Sequence, residues 1–68
     1  MIFGDLTKQE LKIAKDFEKK LKKRDYKDVV IKQDTITKGF YTVEGIEPLG
    51  RRVISVKMNI TEMKNRLS

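Results

Sequence analysis

The chain contains no cysteine, no histidine and no tryptophan, and it has a single proline. Without thiols there is no disulfide and no thiolate metal ligand. Without imidazole there is no His-activated Ser or Cys nucleophile and no histidine base. Much of the chemistry open to small proteins is thereby removed, and neither a cofactor nor a metal site is expected. No apolar run approaches the roughly 18 residues of a membrane span. The opening Met1-Ile2-Phe3-Gly4-Asp5 does not read as a secretory signal, because no charged segment leads into an apolar stretch. The expectation is a cytoplasmic protein with no membrane association, and the lack of Cys is compatible with a reducing compartment.

What is present is one small domain, residues 1 to 68, with 38 % of its positions hydrophobic and 38 % charged. A core that modest needs well-idealised packing or a partner copy. Its first element is announced by Leu6-Thr7-Lys8-Gln9-Glu10-Leu11. Thr7 and Glu10 have the spacing of a capping box, and Leu6 and Leu11 that of a hydrophobic staple. At 100° per residue Ala14, Phe17 and Leu21 share one face, flanked by Ile13 and Leu11, so an amphipathic helix is expected from Thr7 to Arg24. Lys22, Lys23 and Arg24 complement the negative end of its dipole, and Asp25-Tyr26-Lys27-Asp28 ends the apolar period.

Beyond it the residue types favour strands. Val29-Val30-Ile31 is β-branched, and a strand from Val29 to Thr35 is expected. Lys38-Gly39 offers a turn into a second strand over Phe40 to Val43, with Ile36 on either side of that turn. Glu47-Pro48-Leu49-Gly50 has Pro and Gly at favoured turn positions. In Arg51 to Ile60, Ile54, Val56, Met58 and Ile60 alternate with Val53, Ser55, Lys57 and Asn59, the pattern of a strand with one face buried. Asn59 or Thr61 can cap a short final helix in which Met63 and Leu67 lie one turn apart. The expected fold is α+β: an N-terminal amphipathic helix on a three-stranded antiparallel sheet, then a short C-terminal helix, as a two-layer sandwich. This order resembles that of double-stranded-RNA-binding domains. Those place their basic cluster on a long C-terminal helix, whereas residues 61 to 68 are few and carry only Lys64 and Arg66. The likeness is one of topology, which does not transfer function.

The net charge of +6 is unevenly placed. Residues 1 to 27 hold nine Lys and Arg against five acids, and the remaining 41 hold seven against five. On the helical wheel Lys8, Lys12, Lys15, Lys19, Lys22 and Lys23 fall within about 100°, opposite the apolar face and with no carboxylate among them. Asp16 with Lys20 and Glu18 with Lys22 are acid-first pairs that offset some of the repulsion. The stripe runs about 22 Å, the length of six or seven phosphates along one strand. It reads either as a phosphate-contacting ridge for nucleic acid or as a solvated lysine face. A second basic candidate is Arg51-Arg52 with Lys57, beside Phe40-Tyr41, since sheet aromatics next to Arg can stack single-stranded bases. Phe40 and Tyr41 point to opposite faces, so only one can be exposed. Catalysis has little support. The one group of acids that could converge, Asp34, Glu44 and Glu47, has no specific spacing, and there is no glycine-rich phosphate loop.

The sequence thus points to a non-catalytic basic module that contacts nucleic-acid phosphates through the lysine stripe, with Arg51 and Arg52 as further contacts. The alternative is a protein-interaction or accessory module, self-associating through the sheet, whose lysines only solvate it. Val30 and Val53, expected on the face away from the helix, motivate that alternative.

Overall fold

A computed structural model of the chain describes residues 1–67. The elements run β1 (Ile2–Phe3), α1 (Lys8–Lys23), β2 (Lys27–Gln33), β3 (Phe40–Ile46), β4 (Val53–Asn59) and α2 (Ile60–Leu67). The fold is α+β, with the helices on one face of a sheet ordered β1-β2-β3-β4. The sheet has four strands rather than three. β1 joins the edge parallel to β2, with Ile2 opposite Ile31 and Phe3 opposite Lys32. Two residues are too few to show alternation, which is why sequence pattern does not reveal this strand. Ser68, the last residue of the expected final helix, lies outside the described residues.

Helix α1 forms where its cap predicts. The Glu10 amide donates to Thr7 Oγ1 (3.2 Å), and Glu10 Oε1 accepts from the Thr7 amide (3.0 Å), closing the capping box. Its far end is a Schellman motif. The Asp25 amide donates to the Lys22 carbonyl (3.0 Å) and the Tyr26 amide to the Leu21 carbonyl (3.1 Å). Asp25 takes the left-handed position, φ 65°, that glycine usually fills. This turn feeds directly into β2, whose bulge near Asp28 (φ 51°) brings Val29 and Ile31 to the helix side. Between β1 and α1 the chain passes over Gln33 at Gly4, φ 126°. A Cβ there would lie 2.4 Å from Gln33 Cβ, so only glycine fits.

β2 and β3 pair antiparallel from Lys27 opposite Ile46 to Gln33 opposite Tyr41. β3 and β4 pair without interruption from Phe40 opposite Asn59 to Ile46 opposite Val53. Ile36 belongs to neither strand; it sits in the loop and is 93 % exposed. Gly39 takes the expected positive φ, whereas in the β3–β4 loop it is Arg51 (φ 52°) that turns left-handed, under a Glu47 to Arg52 backbone bond of 2.9 Å. The core lies between α1 and the sheet: Ala14 and Phe17 from α1, Ile31, Tyr41, Val43 and Met58 from the strands, and Met63 from α2. Asn59 caps α2, its Oδ1 accepting from the Glu62 amide at 2.8 Å.

α2 lies beside α1 and runs the same way. Ile60 and Lys64 share a depression with Gln9 and Ile13, and Leu67 shares one with Asp16 and Lys19. With eight residues against sixteen, α2 reaches only part of the way along α1, at 1.5 Å per residue. Among the described residues its end meets Lys19 and Lys23, and a groove stays open between α1 and β4.

Candidate nucleic-acid interface

All six stripe lysines, Lys8, Lys12, Lys15, Lys19, Lys22 and Lys23, are exposed on the outer face of α1. Among the described residues only Lys22 has a carboxylate within 4.0 Å, Glu18 Oε1 at 3.9 Å, while Asp16 borders the stripe beside Lys12, Lys15 and Lys19. Glu18 is held mainly elsewhere, by the Met1 amine. Lys20, outside the stripe, does not pair with Asp16 but donates to the Arg66 carbonyl. The charge on this face is thus left available to a ligand, at a cost of a few tenths of a kcal/mol per close like-charged pair.

The opposite side of α1 is anchored by a short polar chain that sequence spacing reveals only in part. Glu10 Oε2 accepts from the Tyr41 hydroxyl at 2.6 Å, so one carboxylate closes the helix cap and ties α1 to β3. The Tyr41 hydroxyl, and then the Thr7 amide and hydroxyl, hold the Glu10 carboxyl below its ordinary value. Burial, and then the hydrogen bond to Glu10, push Tyr41 up to about 12. The lysine face is therefore presented by a helix fixed at its first turn to the sheet.

The second basic candidate does not assemble. Tyr41 is fully buried under α1, while Phe40 lies on the other face of the sheet with Lys57 Nζ 5.7 Å from its ring centroid. Lys57 is committed to Asp34 Oδ2 at 2.6 Å and to Thr37 Oγ1 at 3.4 Å. That bond, and then the Ile36 amide, keep the Asp34 carboxyl below its usual range. Arg51 and Arg52 are exposed in the loop at the other end of β3, six residues from Phe40 along the strand, or about 20 Å at 3.3 Å per residue. The pairing of Arg51-Arg52 with sheet aromatics is thereby corrected. The arginines lie instead at the end of the sheet where α1 hands over to β2. The three acids also separate: Asp34 binds Lys57, Glu44 meets Lys32 at 3.3 Å, and Glu47 follows the far end of β3.

The open sheet face expected at Val30 and Val53 is present: among the described residues no helix covers Val30, Phe40, Glu44, Ile46 and Val53, and Val53 is 70 % exposed. A further feature escapes sequence reasoning. On the covered side, where α2 falls short, a groove of about 280 Å³ opens between α1 and β4. Phe17, Leu21, Tyr26, Ile54, Val56 and Met58 line it, with Lys20, Arg24 and Arg66 as its charged residues. The alternation of Ile54, Val56 and Met58 is visible in sequence; that two of them stay partly uncovered depends on the length of α2.

No helix among the described residues is long and apolar enough to cross a membrane. Comparisons with protein-family models, curated proteins and solved structures give no match. The chemistry of the surface is accordingly the basis for a functional reading.

Proposed function

We propose that the protein is a non-catalytic, cytoplasmic module that binds nucleic acid through the phosphate backbone, using Lys8, Lys12, Lys15, Lys19, Lys22 and Lys23. The observation that carries this reading is an exposed face of six lysines of which, among the described residues, only Lys22 has a carboxylate within 4.0 Å. Ammonium groups along one helix contact phosphates without reading bases, so binding has little sequence preference and is driven by counterion release. Arg51 and Arg52, exposed near the C-terminal end of α1, extend the contact only if the nucleic acid passes that end.

The test is a titration with short DNA and RNA duplexes at rising salt. Contact with six phosphates lowers affinity about a thousandfold between 50 and 200 mM salt. Replacing Lys12, Lys15 and Lys19 by Gln lowers the salt slope by roughly one unit per lysine. Absence of binding at 50 mM salt sinks the proposal. The competing reading, association of copies through the open sheet face, draws on the exposure of Val53. Sedimentation at several concentrations tests it, and a strict monomer counts against it.

A further inference from the structure

The two edges of the sheet are finished in different ways. β1 is two residues long and is held by the chain that leads into α1, with the Asp5 amide on Gln33 Oε1 at 2.8 Å. Short edges of that kind present little backbone for another strand to join. β4 is seven residues long, has no proline, and runs through seven consecutive register pairs with β3 without a bulge. Among the described residues its outer edge faces no strand. Its one charged residue, Lys57, is drawn over the open face by Asp34 and Phe40. Apart from that lysine, no charge, proline or bulge blunts this edge.

This open edge adjoins the groove. Ile54, Val56 and Met58 point to the helix side of β4 and form one wall, while Phe17 and Leu21 of α1 form the other. The Schellman turn after α1 sets Tyr26 at one end. A strand added to β4 would direct every second side chain to the same side as Val56, which is 40 % exposed and without a cover. The charged residues lining the groove, Lys20, Arg24 and Arg66, are all cationic. Arginine forks there match carboxylates in bidentate geometry.

We infer that the free edge of β4 receives an extended acidic segment of another protein, which adds to the sheet as a fifth strand and lowers alternate apolar side chains into the groove between α1 and β4. Main-chain hydrogen bonds to β4 supply the register, the groove selects apolar residues at every second position, and Lys20, Arg24 and Arg66 select acids at the flanking positions of that same face. A second copy of this chain is the poorer occupant. Its own β4, Val-Ile-Ser-Val-Lys-Met-Asn, carries no acid to meet Lys20, Arg24 and Arg66, and the two chains each bear +6. The inference does not rest on the nucleic-acid reading, because the stripe lysines take no part in it.

The experiment uses the full chain, isotope-labelled for amide NMR, and an acetylated peptide long enough to span β4, with Val or Leu at the groove-facing positions opposite Ile54 and Val56, Asp or Glu at the groove-facing positions to either side, and Thr at the outward positions. The expected result is saturable binding that shifts the amides of Val53 to Asn59 and those of Lys20 and Arg24. Replacing the peptide's apolar residues by alanine, or its acids by lysine, weakens binding about tenfold or more. The exposed pair Arg24→Glu with Arg66→Glu does the same. N-methylation of alternate peptide amides abolishes binding without touching the protein, so this arm does not depend on any variant folding. Four results overturn the inference: equal binding of the alanine or N-methylated peptide; shifts confined to the stripe lysines; the same β4 shifts on adding an oligonucleotide; and a concentration-dependent dimer with the β4 amides protected in the absence of peptide.

Discussion

The two faces of the sheet are built from neighbouring residues of the same strands, yet they do opposite work. Tyr41 is fully buried, bonded to Glu10 and packed among Phe17, Ile31 and Met63. Phe40, one residue earlier, lies beneath Lys57 on a face that no element covers. The pleat alone separates them. On the covered face apolar packing runs from Ile31 to Met58 up to the groove beside β4, and the Tyr41 hydroxyl is satisfied by Glu10. On the open face the strands are held by local ion pairs, Lys32 with Glu44 and Lys57 with Asp34, which are exposed and contribute little to stability. Stability is therefore concentrated on the helix side, leaving the outer surface free to vary or to bind.

The sharpest way to break this contrast is a pair of truncations. Tyr41→Ala is expected to cost about 3–5 kcal/mol in urea unfolding, through lost packing and a stranded Glu10. Phe40→Ala is expected to cost about 1 kcal/mol, as for a half-buried surface site. An equal loss at Phe40 would mean that the open face is covered in solution.

A gentler cut, Tyr41→Phe, removes only the hydroxyl and is expected to cost about 1 kcal/mol at neutral pH. Its effect depends on pH. The Glu10 carboxyl is held below its unfolded value, so the stability it contributes is present above about pH 4.3 and is lost as pH falls through the folded value. Unfolding followed from pH 7 to pH 3 should therefore show the wild type and Tyr41→Phe converging in acid. At the other end of the scale Tyr41, raised to about 12, keeps its proton in the folded chain when the unfolded phenol has lost it. Stability tied to this group is present below about pH 10 and lost as pH rises from there to about 12. Phenolate absorbance in a Tyr26→Phe background, where Tyr41 is the only tyrosine, reads this directly: it should appear near pH 12 or together with unfolding. The smallest effect is expected from Asp34→Asn. It weakens the Lys57 contact on the open face and should shift the urea midpoint less than Tyr41→Phe does.

Much of the fold is legible because its signals are local. Thr7 and Glu10 mark the start of α1, and Ala14 and Phe17 its buried side. The alternation of Ile54, Val56 and Met58 gives the face of β4, and Asn59 the start of α2. The six lysines are legible for the same reason, since helical spacing places them on one face whatever α1 packs against. The second basic candidate fails because adjacency in the chain says nothing about which end of a strand a loop occupies. β1 is missed because two residues have no pattern, and their pairing depends on a strand about thirty residues away.

Sequence by itself determined every element but β1, their buried faces and the charged stripe, because helical and strand periodicities are properties of neighbouring residues. Only the tertiary structure decided that Glu10 serves both its own helix cap and Tyr41, that Lys20 meets the Arg66 carbonyl rather than Asp16, and that Ile54 and Val56 lie along an open groove. Those outcomes depend on how far one element reaches along another. Through them the last strand is left with an open edge beside a groove whose charged residues are all cations.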